Sequence, residues 1–256
     1  MASAEVLIRL LGPFEILKKT GKPVSLRSGG KTEQLLSCLA MSPHAGVHHD
    51  WLVEHIWPDA PLALANQCLN TLMHSLKAQL ADALAGQPPI VHLGSQYVLN
   101  LDGGLGVDVL EFEWAVDAGD RLLSAGCTAA AIESYEQAIV LYRGDLAAEC
   151  GIAALLERER LRAMCLRALA RLADAHFELA HYNQALHHAV RLLAVDPCRE
   201  DAHRIAMRAY VRLGVRAQAL RQYTLCQTIL RDEFDAIPEP ATEQLFRLIR
   251  TDPGLV

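Results

Sequence analysis

Small residues recur at fixed spacing through the second half of the chain, and that recurrence restricts the fold more than any single motif does. Gly126, Ala131, Tyr135 and Ala138 stand at offsets 0, 5, 9 and 12. Ala180, Ala185 and Ala189 fall on the same template, with Tyr182 inside it and Pro197 beyond it. Gly214, Ala219 and Tyr223 fit it a third time. Ala185 and Ala219 are 34 residues apart, a period at which pairs of helices stack on one another. Small side chains sit where two helices cross closely, and a proline follows a helix end. The first two copies are 54 apart, so the unit between them is extended around Cys150 to Arg162.

A chain of 256 residues holds one or two domains. Apolar residues make up 52% but aromatics only 5%, so the cores must be built from Leu, Ala, Ile and Val, as in helical packing. No apolar run is long enough to span a membrane. The first residues show neither a basic stretch nor a cleavage site. The seven cysteines are scattered and include no C-x-x-C pair. They read as small core hydrophobes in a reducing cytoplasm.

The first hundred residues read differently. Val6, Ile8 and Leu10 alternate, Gly12-Pro13 interrupts, and Phe14 and Ile16 resume. After a Thr20-Gly21-Lys22-Pro23 turn, Val24-Ser25-Leu26 reads as another short strand, giving a small antiparallel sheet. Helices follow from about Lys31 to Met41, with Leu35, Leu36 and Leu39 apolar, and from about Asp50 to Trp57. A third opens after Pro58-Asp59-Ala60-Pro61. Ile90-Val91-His92-Leu93 and Tyr97-Val98-Leu99 then flank Gly94-Ser95-Gln96 as a β-hairpin. A sheet, three helices and a terminal hairpin make a winged helix, whose third helix enters the major groove of DNA.

That third helix carries the sharpest functional signal. Leu69, Leu72, Met73, Leu76 and Leu80 share one face. Asn66, Gln67, Asn70, Thr71, His74 and Lys77 fall on the other. Asn and Gln pair bidentately with adenine edges, and Lys meets guanine or phosphate. These six are the expected recognition residues. The plain alternative is the solvated face of an ordinary packed helix. Lys31 and Thr32, opening the first helix, and Ser95 and Gln96, at the wing tip, are the expected contacts to the DNA backbone.

L-L-G-P-F-E-I at 10–16, Lys31 leading into L-L-S-C-L-A, Trp57, the third helix and G-S-Q-Y-V-L at 94–99 together resemble the DNA-binding domain of Streptomyces antibiotic regulatory proteins. That domain is a winged helix of the OmpR/PhoB type. The resemblance runs on through the repeats, which look like the bacterial transcriptional activation domain of the same family. The stretch from Ile237-Pro238-Glu239-Pro240 to Arg250 resembles its closing helix. It implies a bacterial transcriptional activator that binds direct repeats of promoter DNA, recruits RNA polymerase, acts as two protomers, and uses no cofactor and no membrane.

The expected fold is mainly α with a small β component. An N-terminal winged helix-turn-helix occupies residues 1–101, and an all-α TPR-like domain occupies 108–256. Asp102-Gly103-Gly104-Leu105-Gly106 is the linker between them. Charge leaves a second function open. The formal net charge is −6, and residues 1–100 hold seven Lys and Arg against seven Asp and Glu. The family's third helix is arginine-rich, whereas Asn66, Ser75 and Ala78 stand here and Lys77 is the one cation between Asp59 and Asp82. Each missing phosphate contact removes one released counterion from the affinity. A winged helix serving as a protein-interaction or ligand-sensing adaptor is the alternative.

Catalytic and nucleotide-binding motifs are missing. Gly30-Lys31-Thr32 ends like a P-loop, but Ser25 stands where its first glycine belongs. His48-His49 and His187-His188 have no Cys or carboxylate at ligand spacing, so no metal site is expected. No nucleophile–base constellation is visible, so no enzyme is expected. Tyr97 reads as a core residue of the hairpin. Arg158, Arg160, Arg162, Arg167 and Arg171 lie along one long helix. They read as a solvated basic face or as a groove for acidic partner segments.

Overall fold

The computed structural model describes residues 4–24, 30–147 and 151–256. Ser25 and Leu26 of the expected third strand, and Cys150 at the start of the extended repeat, lie outside the described residues. The chain packs as two compact units, Met1–Trp114 with Val140–Arg162, and Ala115–Ile139 with Ala163–Val256. No helix among the described residues is long and apolar enough to cross a membrane.

In the first unit, strands β1 (Val6–Arg9) and β2 (Glu15–Lys18) form the antiparallel pair that the alternation predicts. Val6, Ile8 and Ile16 point into the core. Their third partner is β6 (Leu105–Val107), which lies parallel to β1 with Val6 opposite Leu105 and Ile8 opposite Val107. The glycine-rich stretch expected to be a linker is therefore partly a strand of this sheet. Leu105 and Val107 alternate around Gly106, and both are buried. That apolar pair outweighs the flexibility of the neighbouring glycines.

Helix α1 (Gly30–Ala40) buries Leu35, Leu36 and Leu39. Helix α2 (His49–Ile56) buries Leu52, Val53 and Ile56, and packs against both α1 and α3 (Leu62–Leu80). Strands β4 (Ile90–Leu93) and β5 (Gln96–Leu99) form the hairpin. A further strand, β3 (Val47–His48), pairs with β5 and makes the wing three-stranded. Gly46 permits this. Its φ is +75°, and an added Cβ would lie 2.6 Å from Val98 Cγ2 and 2.8 Å from the Tyr97 carbonyl oxygen. Only a residue with no side chain brings the chain this close.

Helix α4 (Asp108–Ser124) opens directly after β6. The Asp108 carboxylate is buried and accepts the backbone N–H of Leu10 at 2.8 Å and of Leu11 at 3.0 Å. Burial pushes its carboxyl up to about 6, against the pull of those N–H groups and of the Arg143 charge.

The remaining helices follow the repeat: α5 (Thr128–Leu141), α6 (Gly151–Glu178), α7 (Tyr182–Val195), α8 (Glu200–Arg212), α9 (Arg216–Phe234) and α10 (Pro240–Thr251). In the second unit Ala131, Ala138, Ala185, Ala189 and Ala219 are all fully buried, as the template requires. Ala173, Ala185, Ala189, Ile205 and Ala206 form one cluster across α6, α7 and α8. Met207, Tyr223 and Ile249 form another with Ala219 across α8, α9 and α10. Close crossing is most evident at Gly119 of α4, where a Cβ would lie 2.6 Å from the Tyr135 ring. The template's first position ends a helix in left-handed backbone. Gly126 and Gly214 take it at φ +76° and +78°, and Ala180 at φ +59°.

Two predictions follow from these positions. Ala180→Gly should raise stability by about 0.5–1 kcal/mol, because the alanine Cβ is strained in that conformation. A lowered urea midpoint would contradict this. The raised Asp108 pKa means that the folded state binds the proton more tightly than the unfolded chain. Its contribution is fully present below about pH 4 and is lost as pH rises through about 6. Wild type should therefore gain up to about 3 kcal/mol relative to Asp108→Asn between pH 7 and pH 4. Parallel urea titrations across that range check it, and a pH-independent difference would contradict it.

Candidate nucleic-acid interface

The site is built by the inward face of α3. Ala65, Leu69, Leu72, Leu76 and Leu80 are buried. This fixes the helix rotation and turns Gln67, Asn70, Thr71, His74 and Lys77 to the exterior, where all five are exposed. Asn66 departs from the expected set. It borders the buried stripe beside Ala65, is half-buried, and its Oδ1 is enclosed with no hydrogen-bond partner. Thr71 Oγ1 donates to the Gln67 carbonyl at 2.9 Å, so its methyl group and oxygen lone pair are what it offers outward. No acidic residue stands in the first turn of α3.

The foot of this helix is more apolar than the sequence pattern suggests. Leu62 and Leu64 are exposed. An open groove of about 450 Å³ runs beside α3, walled by Trp57, Leu64, Cys68 and Leu72, with Gln67 and Thr71 on its polar side.

The expected backbone contacts divide. Ser95 and Gln96 are exposed at the tip of the wing, with Gly94 in left-handed backbone at φ +65° turning the chain. Tyr97 is buried under them, as a core residue of the hairpin. Thr32 is a correction, because it is fully buried and its Oγ1 cannot reach a phosphate. It lies one turn before Leu35 and Leu36 and shares their face. Lys31 is also partly reassigned. Its ammonium donates to the Ile56 carbonyl at 2.5 Å and ties the start of α1 to the end of α2, just ahead of α3. Lys19 is held by Glu5 at 2.7 Å.

The arginines of α6 are largely committed to the protein itself. Arg158 donates to the Leu146 carbonyl at 3.0 Å. Arg160 pairs with Glu113 and Glu157. Arg167 pairs with Asp120 at 3.2 Å. A groove for acidic partner segments loses these three, and their role is internal pairing.

The histidines also regroup. His48 and His49 share the Asp50 carboxylate, and the bond from His49 holds Asp50 below its ordinary value. His188 does not act with its neighbour in sequence. It stacks on His176 of α6 with ring centroids 5.4 Å apart and planes 6° from parallel. Glu136 of α5 stands beside them, with its Oε1 3.7 Å from His176 Nε2. Three helices bring this cluster together, and no short-range spacing announces it.

Residues 107–250, more than half of the chain, match the family described as bacterial transcriptional activator domain. The regulatory protein DnrI of Streptomyces peucetius is 26% identical over 261 residues, covering 97% of this chain and 93% of that protein. Among solved structures, EmbR of Mycobacterium tuberculosis, in complex with a low-affinity phosphopeptide, matches 96% of this chain with a TM-score of 0.77 at 21% identity. The chain spans 65% of that structure's length. At 21% identity the likeness bears on the fold alone.

Proposed function

Because this chain belongs to the bacterial transcriptional activator domain family, as a regulator of the Streptomyces antibiotic regulatory type, we propose that it reads promoter DNA through the outward face of α3. In this reading Gln67, Asn70, Thr71 and His74 meet base edges in the major groove, and Lys77 meets a phosphate. Ser95 and Gln96 of the wing touch the neighbouring backbone. The winged-helix domain is assigned to residues 1–101 and the activator domain to 108–256. The helical repeats take the contacts to RNA polymerase and to a second protomer, with two copies on direct repeats. The protein works in the cytoplasm and performs no chemistry of its own.

The observation that carries this reading is the sorting of α3 into a buried leucine face and an exposed face of amides, hydroxyl, imidazole and one ammonium. An amide pair to adenine contributes discrimination of about 1–3 kcal/mol when made bidentately. The apolar groove beside Gln67 and Thr71 suits a thymine methyl group. With Lys77 as the single cation of the helix, electrostatic attraction there is small, so base contacts and the pairing of protomers must supply most of the affinity.

Fluorescence anisotropy with duplexes from the gene's own upstream region tests the assignment. Asn70→Ala should weaken binding to the preferred duplex by about 1–3 kcal/mol and relax the choice of base at one position. Lys77→Ala should weaken all duplexes alike and lower the salt slope by about one. Unchanged binding in both variants would remove α3 from the interface.

A further inference from the structure

We infer that Glu136, His176 and His188 form a binding site for a divalent transition-metal ion inside the helical-repeat domain. Their ligand atoms all lie within 4.8 Å of one another, although the residues come from α5, α6 and α7. Both histidines are more than nine-tenths buried. Neither ring nitrogen of His176 has a hydrogen-bond partner, nor has Nδ1 of His188. A buried polar group left this way costs about 1–3 kcal/mol. Three such atoms on two stacked rings are an expensive arrangement unless something binds them.

His203 shows what a purely structural buried histidine looks like in the same domain. It is equally enclosed, yet its Nε2 donates to the Pro197 carbonyl at 2.9 Å and its Nδ1 accepts from Gln222 at 2.8 Å. Both nitrogens are satisfied. The His176–His188 pair has no such partners and faces a carboxylate.

The donor set, two imidazole nitrogens and a carboxylate oxygen, is one that transition metals take. An imidazole nitrogen with no hydrogen-bond partner has a lone pair to offer a metal. Glu136 supplies the anionic oxygen of the set. Two ligand atoms on a tetrahedral ion, each about 2.0–2.1 Å from it, are about 3.3–3.5 Å apart. The 3.7 Å between Glu136 and His176 is already near that value. Glu136 is exposed, so the site opens to solvent there.

At the rim, the exposed His181 ring lies 5.7 Å from His176, and the exposed His187 ring 5.2 Å from His188. One of them or a water completes the coordination. Two imidazoles and a carboxylate select zinc, nickel or cobalt over magnesium or calcium. An ion held here ties three consecutive helices of the activator domain, so its occupancy stabilises that domain.

The test uses the full chain, stripped of metal by a chelator and free of any histidine tag, titrated with Co²⁺. One equivalent should produce the visible d–d absorption of a low-coordinate cobalt site, and Zn²⁺ should displace it. Glu136→Gln changes an exposed side chain and should weaken Co²⁺ by at least about tenfold. His188→Asn should abolish the bands while circular dichroism of the apo protein stays as in wild type. If His188→Asn fails to fold, Glu136→Gln decides alone. The absence of bands in wild type, or a Glu136→Gln affinity within about twofold of wild type, overturns the site.

Discussion

Burial of Leu69, Leu72, Leu76 and Leu80 along one side of α3 is the constraint from which the functional surface follows. Each such side chain contributes about 1.5–3 kcal/mol when removed from water. The stripe also sets the rotation of the helix. A turn of one residue would carry Asn70 and Lys77 toward the core with no partners to receive them, at a cost no other contact in the unit offsets. The polar side is thus exposed because the apolar side cannot be anywhere else. Lys31, bonded to the carbonyl that closes α2, steadies the segment from which α3 departs.

The second fixed point is Asp108. One buried carboxylate joins the end of β1 to the start of α4 by accepting two consecutive backbone N–H groups. Because β6 pairs with β1 immediately before it, the long helical run begins from a residue that the N-terminal sheet holds. Farther along, the closing helix is fastened by different chemistry. Arg216 donates to the Ile249 and Arg250 carbonyls at the end of α10, and Tyr223 stacks on Phe246 with centroids 3.9 Å apart. Those contacts hold α10 against α9.

Periodicity made the elements with strong patterns legible. The leucine spacing of α3, the alternation of β1 and β2 and the Gly–Ala–Tyr template of the repeats all signal local structure, because each is a repeated choice within one element. Features made by two or three distant segments were not legible in this way. Leu105 and Val107 form a strand only because β1 lies ready to pair with them, so the glycines around them suggested a linker instead. Val47 and His48 join the wing through Gly46, whose need for positive φ is visible only beside Val98. Thr32 departs from its expected role for a related reason. Its position at a helix start suggested an anion site, whereas its face was set by packing against the core. Glu136, His176 and His188 lie on three helices and have no common spacing. Only the stacking of those helices brings them together.

The central claim is that the exposed face of α3 lies against duplex DNA. A photo-crosslinking amino acid placed at position 70, exposed beside the centre of α3, tests this most directly on the whole chain with upstream duplex. The account predicts crosslinks to bases of the bound site from position 70, and none when the same group replaces exposed Val190 on α7. Crosslinks from position 190 alone, or from neither position under conditions where the complex forms, would contradict it.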